Sequence, residues 1–189
     1  MSTPSLGLLV VTNPIQTLLA EHALHRRLLR VFERLARGLD RGRFPSADVA
    51  LVLRYLREFV ERSHHQRESQ AIHPLALVVG GDEHAELLGR LIGDHQETSD
   101  LLESLCMLWE PTDLLEAERA IFAKLAQTYI ARLRRHMTEE ELTIYPLAAR
   151  ASADELAELG AELERMATSH PGVSHWSALV AQLEERWPA

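Results

Sequence analysis

Two short patterns place an imidazole and a carboxylate one helical turn apart: His64-x-x-x-Glu68 and His136-x-x-x-Glu140. On an α-helix, residues four apart lie one above the other, so each pair can offer a ring nitrogen and a carboxylate oxygen to one point. That is the chemistry of metal binding, and because a carboxylate can span two ions through its two oxygens, two such pairs can bridge two metals. With ten histidines in 189 residues, composition alone supplies about one such pair by chance, so the spacing needs its context.

The context is an internal repeat. Each pair is followed by the same signature, Pro74-Leu75-Ala76 and Pro146-Leu147-Ala148, with 72 positions separating 64 from 136. Glu21-His22 and Asp94-His95 repeat in the same way, each followed after five residues by Leu-Leu, with 73 positions separating 22 from 95. A duplicated helix pair with a shared stop signal also suits a plain helical scaffold with no metal, and that is the bland alternative. The repeat nevertheless selects a candidate set of four histidines and two glutamates: His22, His64, Glu68, His95, His136 and Glu140.

Imidazole with carboxylate and no thiolate suits iron or manganese, whereas closed structural zinc sites favour Cys and His. Cys106 is the only cysteine, which rules out an intrachain disulfide and a Cys-rich zinc site; the expectation for it is a buried, inert thiol. Six protein ligands do not saturate two six-coordinate ions even with both glutamates bridging. Positions remain for an oxo or hydroxo bridge and a small ligand such as O2, NO or peroxide. The expected cofactor is two Fe ions, with Mn or Zn as substitutes.

The elements that must position these residues read as helices throughout, with no strand signal. Asn13-Pro14 caps and starts a first helix with Ile15, Leu18, His22, His25, Leu29, Phe32, Ala36 and Leu39 on one stripe. The segment Gly42 to Pro45 breaks it, and Ser46 is expected to cap a second helix with Leu53, Leu56, Val60, His64 and Glu68 inward, stopped by Pro74. A turn at Gly80-Gly81-Asp82 leads to a third helix, with Leu88, Leu91, His95, Leu102 and Leu105 on its stripe, ended by Pro111 after Trp109. Thr112 or Asp113 is expected to cap the fourth, with Phe122, Leu125, Tyr129, Leu133, His136 and Glu140 inward, finishing near Pro146. From Ser152 one or two shorter helices follow, split near Pro171-Gly172. The expectation is one all-α domain over 1–189, an antiparallel up-down four-helix bundle over 13–150 with additional C-terminal helices over 151–189. At ~1.5 Å per residue the heights of His22 and His64 agree, while His95 and His136 differ by roughly two turns.

Composition limits the function. A formal charge of −8 argues against nucleic acid and anionic lipid, which are bound through Lys and Arg. The longest N-terminal apolar run, Leu6 to Val11, is too short for a signal segment or a membrane span, and a cytoplasmic protein is expected. Among the remaining histidines, His65 shares a helix face with Glu58 and Glu61 and should point to solvent. His25 lies one turn past His22 and can be an alternative ligand, a hydrogen-bond partner of one, or a core histidine. His84 is ~16 Å along the axis from His95, too far to join it. His73, His170 and His175 lie beside breaks or in the tail and are expected at the surface. Tyr129 and Trp109 read as core, with Tyr129 able to reach the edge of a metal pocket.

At these residues the sequence resembles the bacterial branch of the hemerythrin-like HHE cation-binding family, from about Asn13 to Arg150. The resemblance implies a four-helix bundle holding a carboxylate-bridged di-iron centre, and functions in oxygen binding, NO or redox sensing, or, alternatively, an enzyme of oxidative or nitrosative stress that turns over peroxide or NO, oxidises iron or repairs iron-sulfur clusters. Two departures from the oxygen carriers stand out: Ser99 occupies the position four beyond His95 where they have a second His, and Glu140 follows His136 by four where they have an Asp at five. His73 also stands where an aromatic commonly precedes the proline.

Overall fold

The computed structural model describes residues 13–39, 44–109, 114–167 and 171–188. The run Leu6 to Val11, Gly42, Pro111, Thr112, Asp113 and His170 lie outside the described residues. Every regular element among those described is a helix.

Four rods form the bundle. The first is α1 (Pro14–Gly38), which opens as the sequence suggests, with Asn13 Oδ1 accepting from Ile15 N at 3.0 Å and Pro14 at the first helical position. The second begins with α2 (Ser46–Tyr55), passes through π-helical stretches at Leu56–His65 and Glu68–Ile72, and ends with α3 (His73–Gly80). Ser46 is the first residue of this rod and not its cap; the Pro45 carbonyl closes the first turn, and Ser46 Oγ instead accepts from the Trp109 indole. The third rod is α4 (Ala85–Trp109). The fourth runs through α5 (Glu116–Glu139), a π turn at Glu140–Ile144 and α6 (Tyr145–Ala148).

Pro74 does not stop the second rod. A proline ring inside an α-helix clashes with the carbonyl four residues back and removes a hydrogen bond. Here a wider π turn precedes each proline, closed by the His73 and Tyr145 N–H groups donating to the carbonyls of Glu68 and Glu140, five residues back. The rod therefore continues to Gly81, whose φ of 77° is the left-handed conformation that glycine adopts without a Cβ penalty.

Two apolar clusters fill the bundle. One holds Ile15 and Leu18 of the first rod, Ile72 and Ala76 of the second, Leu88 and Leu91 of the third, and Ile144 and Leu147 of the fourth. The other holds Leu28 and Phe32, Tyr55 and Phe59, Leu102 and Leu105, and Phe122 and Tyr129 from the same rods. Successive rods traverse the two clusters in opposite order, which is the antiparallel up-down arrangement. The candidate residues of every rod fall in the interval between the clusters, so a single polar layer separates two hydrophobic ones.

The C-terminal segment forms α7 (Ala153–Ala167), capped by reciprocal Ser152 and Glu155 bonds, and α8 (Val173–Arg186). The α8 helix packs on α1 and α2, inserting Trp176 against Tyr55 and Phe59, while α7 covers α1 and the second π stretch. No described helix is long and apolar enough to cross a membrane. Cys106 is half-buried against the larger cluster, not fully buried.

Candidate metal centre

All six candidates meet in the polar layer, and the two-turn offset from simple height counting disappears. His64 Nε2 stands 3.2 Å from Glu68 Oε1, and His136 Nε2 stands 3.2 Å from Glu140 Oε2. The i,i+4 pairs therefore converge alike in both halves. Glu68 also reaches beyond its own rod: Oε1 lies 3.7 Å from His22 Nε2 and Oε2 lies 3.6 Å from His95 Nε2. Glu140 Oε2 lies 3.6 Å from His22 Nε2 as well.

Two groups of donor atoms result, each within 4.8 Å of one another: His22, His64 and Glu68 in one, and His65, Glu68, His95 and His136 in the other. Glu68 belongs to both. The two ring nitrogens His95 Nε2 and His136 Nε2 are 2.9 Å apart. Two nitrogens at right angles on one ion with bonds of ~2.1 Å would be about 3 Å apart, so this spacing fits a shared cation.

The remaining polar atoms make the same point. His64 Nε2, His65 Nε2, Glu68 Oε2 and Glu140 Oε2 are buried with no hydrogen-bond partner among the described residues. Each such group costs about 1–3 kcal/mol when left unsatisfied. Metal ions held in this layer would satisfy them, and the donor set present fits such ions.

Around the donors runs a frame that the sequence reading did not anticipate, built on the same repeat. Glu21, which precedes His22, accepts from His64 Nδ1 at 2.8 Å and from Arg67 at 2.6 Å. Asp94, which precedes His95, stands 3.9 Å from His136 Nδ1, an ion-pair distance, and accepts from Arg135 at 2.8 Å. Glu141 pairs with His22 Nδ1 at 2.9 Å, while its counterpart 72 positions earlier, Ser69, pairs with His95 Nδ1 at 3.1 Å. Partners on the outer ring nitrogen fix the imidazole's orientation and free the inner nitrogen for a metal. The matched Glu21-His22 and Asp94-His95 dipeptides were the available signal for two of these braces.

Two histidines depart from expectation. His73 is buried, its Nε2 3.0 Å from Glu140 Oε1, because the rod does not break at Pro74 and position 73 keeps its inward face. Tyr145 is its repeat counterpart, and the alignment of the two prolines could have revealed it. His65 is also buried and not at the surface. The α-helical wheel that puts it beside Glu58 and Glu61 fails because Leu56–His65 is a π stretch, whose wider turn lets His64 and His65 both face inward. Glu61 itself is half-buried and accepts from Ser99 Oγ.

His25 is buried next to the layer, with Nδ1 2.7 Å from the Tyr55 hydroxyl and its ring edge on His64. His84 bonds to the Gly80 carbonyl at the far turn, and His175 is exposed. Tyr129 is a core residue, and Trp109 is half-buried.

Residues 13–148 match the model of the hemerythrin HHE cation-binding domain. The chain belongs to this family. Neither a curated protein nor a solved structure shows significant similarity to it. The buried His and Glu groups lie within the matched span and could hold a cation of the kind this domain is named for.

Electrostatics follow from the same contacts. Burial alone would lower the His64 pKa, but Glu68 and the hydrogen bond to Glu21 outweigh it and lift it to about 9. His136 is lifted to about 10 against the same desolvation by Glu140 and Asp94. Burial and the neighbouring imidazoles push His65 and His25 well below the usual histidine range. Both shifts favour the protonated imidazole, because buried carboxylates face each ring. A cavity of about 350 Å³, lined by Glu61, His65, Gln66, Ser69, His95 and Ser99 among others, adjoins the His95 side of the layer.

Proposed function

We propose that this HHE domain is a non-haem di-iron protein, with His22, His64, Glu68, His95, His136 and Glu140 as ligands and the two glutamates bridging, and that it binds or senses O2, NO or redox state. The observation that carries the reading is the double membership of Glu68: one oxygen faces His22 and His64, the other faces His95. A carboxylate so shared has two cation positions to serve. Iron pairs in such a nitrogen and oxygen environment supply reversible electron transfer and an open place for a small ligand. The protein's part is to hold the six donors, exclude bulk water with apolar layers on both sides, and admit a small molecule past His95. That the protein works in the cytoplasm belongs to this proposal and rests on composition alone.

The test is to add O2 or NO to iron-loaded, reduced protein under argon and follow the absorption spectrum. A stable adduct that reverses when the gas is removed is the expected result. A second reading is an oxidative or nitrosative stress enzyme at the same centre, favoured by the buried Tyr145 hydroxyl against Glu68, a hydrogen donor beside the metal positions. Catalytic turnover of peroxide or NO, lost in His64→Ala, would select the enzyme over the sensor.

A further inference from the structure

Resting on the di-iron reading, we infer that His65 is a fifth imidazole ligand, which makes the two metal positions unequal: three imidazoles from His65, His95 and His136 on one side, two from His22 and His64 on the other. Four observations converge on it. The donor atoms of His65, Glu68, His95 and His136 all lie within 4.8 Å of one another. His65 is only 5% exposed, and its Nε2 is buried without a hydrogen-bond partner among the described residues. Its ring stacks on His95 with centroids 4.0 Å apart and planes at 11°, and meets His136 edge-on at 5.5 Å. The π stretch that ends at His65 turns two consecutive imidazoles inward, His64 to one group and His65 to the other.

The repeat shows that this feature is one-sided. Counting 72 positions on from His65 reaches Met137, which packs in the apolar cluster, so the fourth rod supplies no matching imidazole. Position 99, one turn beyond His95, is a serine donating to Glu61 and brings no ring nitrogen. The other nearby buried imidazoles, His25 and His73, belong to neither converging group and bond to Tyr55 and Glu140. Counting both glutamates on each side, one ion has five protein donors and the other four. The metals therefore differ in affinity and in electronic environment.

Two measurements decide the point. First, metal-free wild type, His65→Gln and His65→Leu are titrated with Fe(II) under argon. The wild type is expected to take two ions, while in both variants one ion is weakened at least about tenfold and the other stays within about twofold. Second, wild-type protein with 15N-labelled histidine is loaded with diamagnetic Zn(II), and the His65 ring nitrogens are followed by long-range 1H–15N correlation; Nε2 is expected to move to a metal-bound shift. This second measurement stands even where the variants fail to fold. Two ions held with wild-type affinity in both variants, or a His65 signal unmoved by loading, would overturn the role of His65 and leave the di-iron reading intact. A wild-type chain that takes up no metal would overturn both.

Discussion

The Tyr145 hydroxyl donates to Glu68 Oε1 at 2.5 Å, crossing from the fourth rod to the second. The reciprocal bond joins His73 on the second rod to Glu140 on the fourth. In each half, the residue just before the proline holds the other half's carboxylate, so the π turns that carry the chain past Pro74 and Pro146 also aim the braces of the centre.

Removing the hydroxyl with Tyr145→Phe leaves a buried carboxylate short of a charge-assisted hydrogen bond. The metal-free protein should lose about 1.5–3 kcal/mol of stability, read from urea unfolding. An unchanged midpoint would mean that the bond contributes nothing.

The outer braces should act on metal affinity more than on folding. Glu21→Gln removes the charged partner of His64 Nδ1 and of Arg67, and is expected to weaken iron binding by about 10–100-fold. Direct Fe(II) titration checks it, with circular dichroism confirming that the helices persist. Affinity equal to wild type would show that the orientation of His64 does not depend on Glu21.

The histidine protons give a pH signature with a definite sign. The folded pKa values of His64 and His136, about 9 and about 10, lie above the ordinary value of 6.5. Their contribution to stability is fully present below pH 6.5 and lost as pH rises through 9 to 10. The melting temperature of metal-free protein should therefore fall between pH 7.5 and 10. Iron must displace the same protons, so its uptake should release protons at pH 7 and weaken as pH falls. A melting temperature that is flat or rising over that window contradicts the assignment.

Ligand deletion should couple metal loss to instability. His95→Ala and Glu140→Ala are each expected to lower both iron content and melting temperature, because binding energy at a preformed site is folding energy. Unchanged iron stoichiometry in both variants would defeat the ligand set.

The rods and the six convergent side chains were legible because apolar periodicity and the two offsets, 72 and 73, carry that information directly. What escaped was decided by local geometry that α-helical periodicity does not encode. An α-helical wheel sends His65 toward Glu58 and Glu61 and the surface, and only a π stretch turns it inward. A proline ordinarily ends a helix, which puts His73 at the surface, and the wide turn that absorbs Pro74 follows from no propensity rule. Ser46 looked like a cap by residue type, but the helix begins one residue earlier in register, and its hydroxyl serves Trp109. The bracing roles of Glu21 and Asp94 were visible only as a repeated dipeptide, because across-rod contacts depend on how the helices rotate against one another.

The shared position of Glu68 is tested most directly by metal analysis of freshly purified wild-type protein, with absorption spectra recorded under air and under argon. About two iron ions per chain, with a near-ultraviolet charge-transfer band of a bridged ferric pair that is present in air and lost on reduction, is the predicted result. A chain that purifies and reconstitutes with no iron, or with a single ion and no such band, would contradict it.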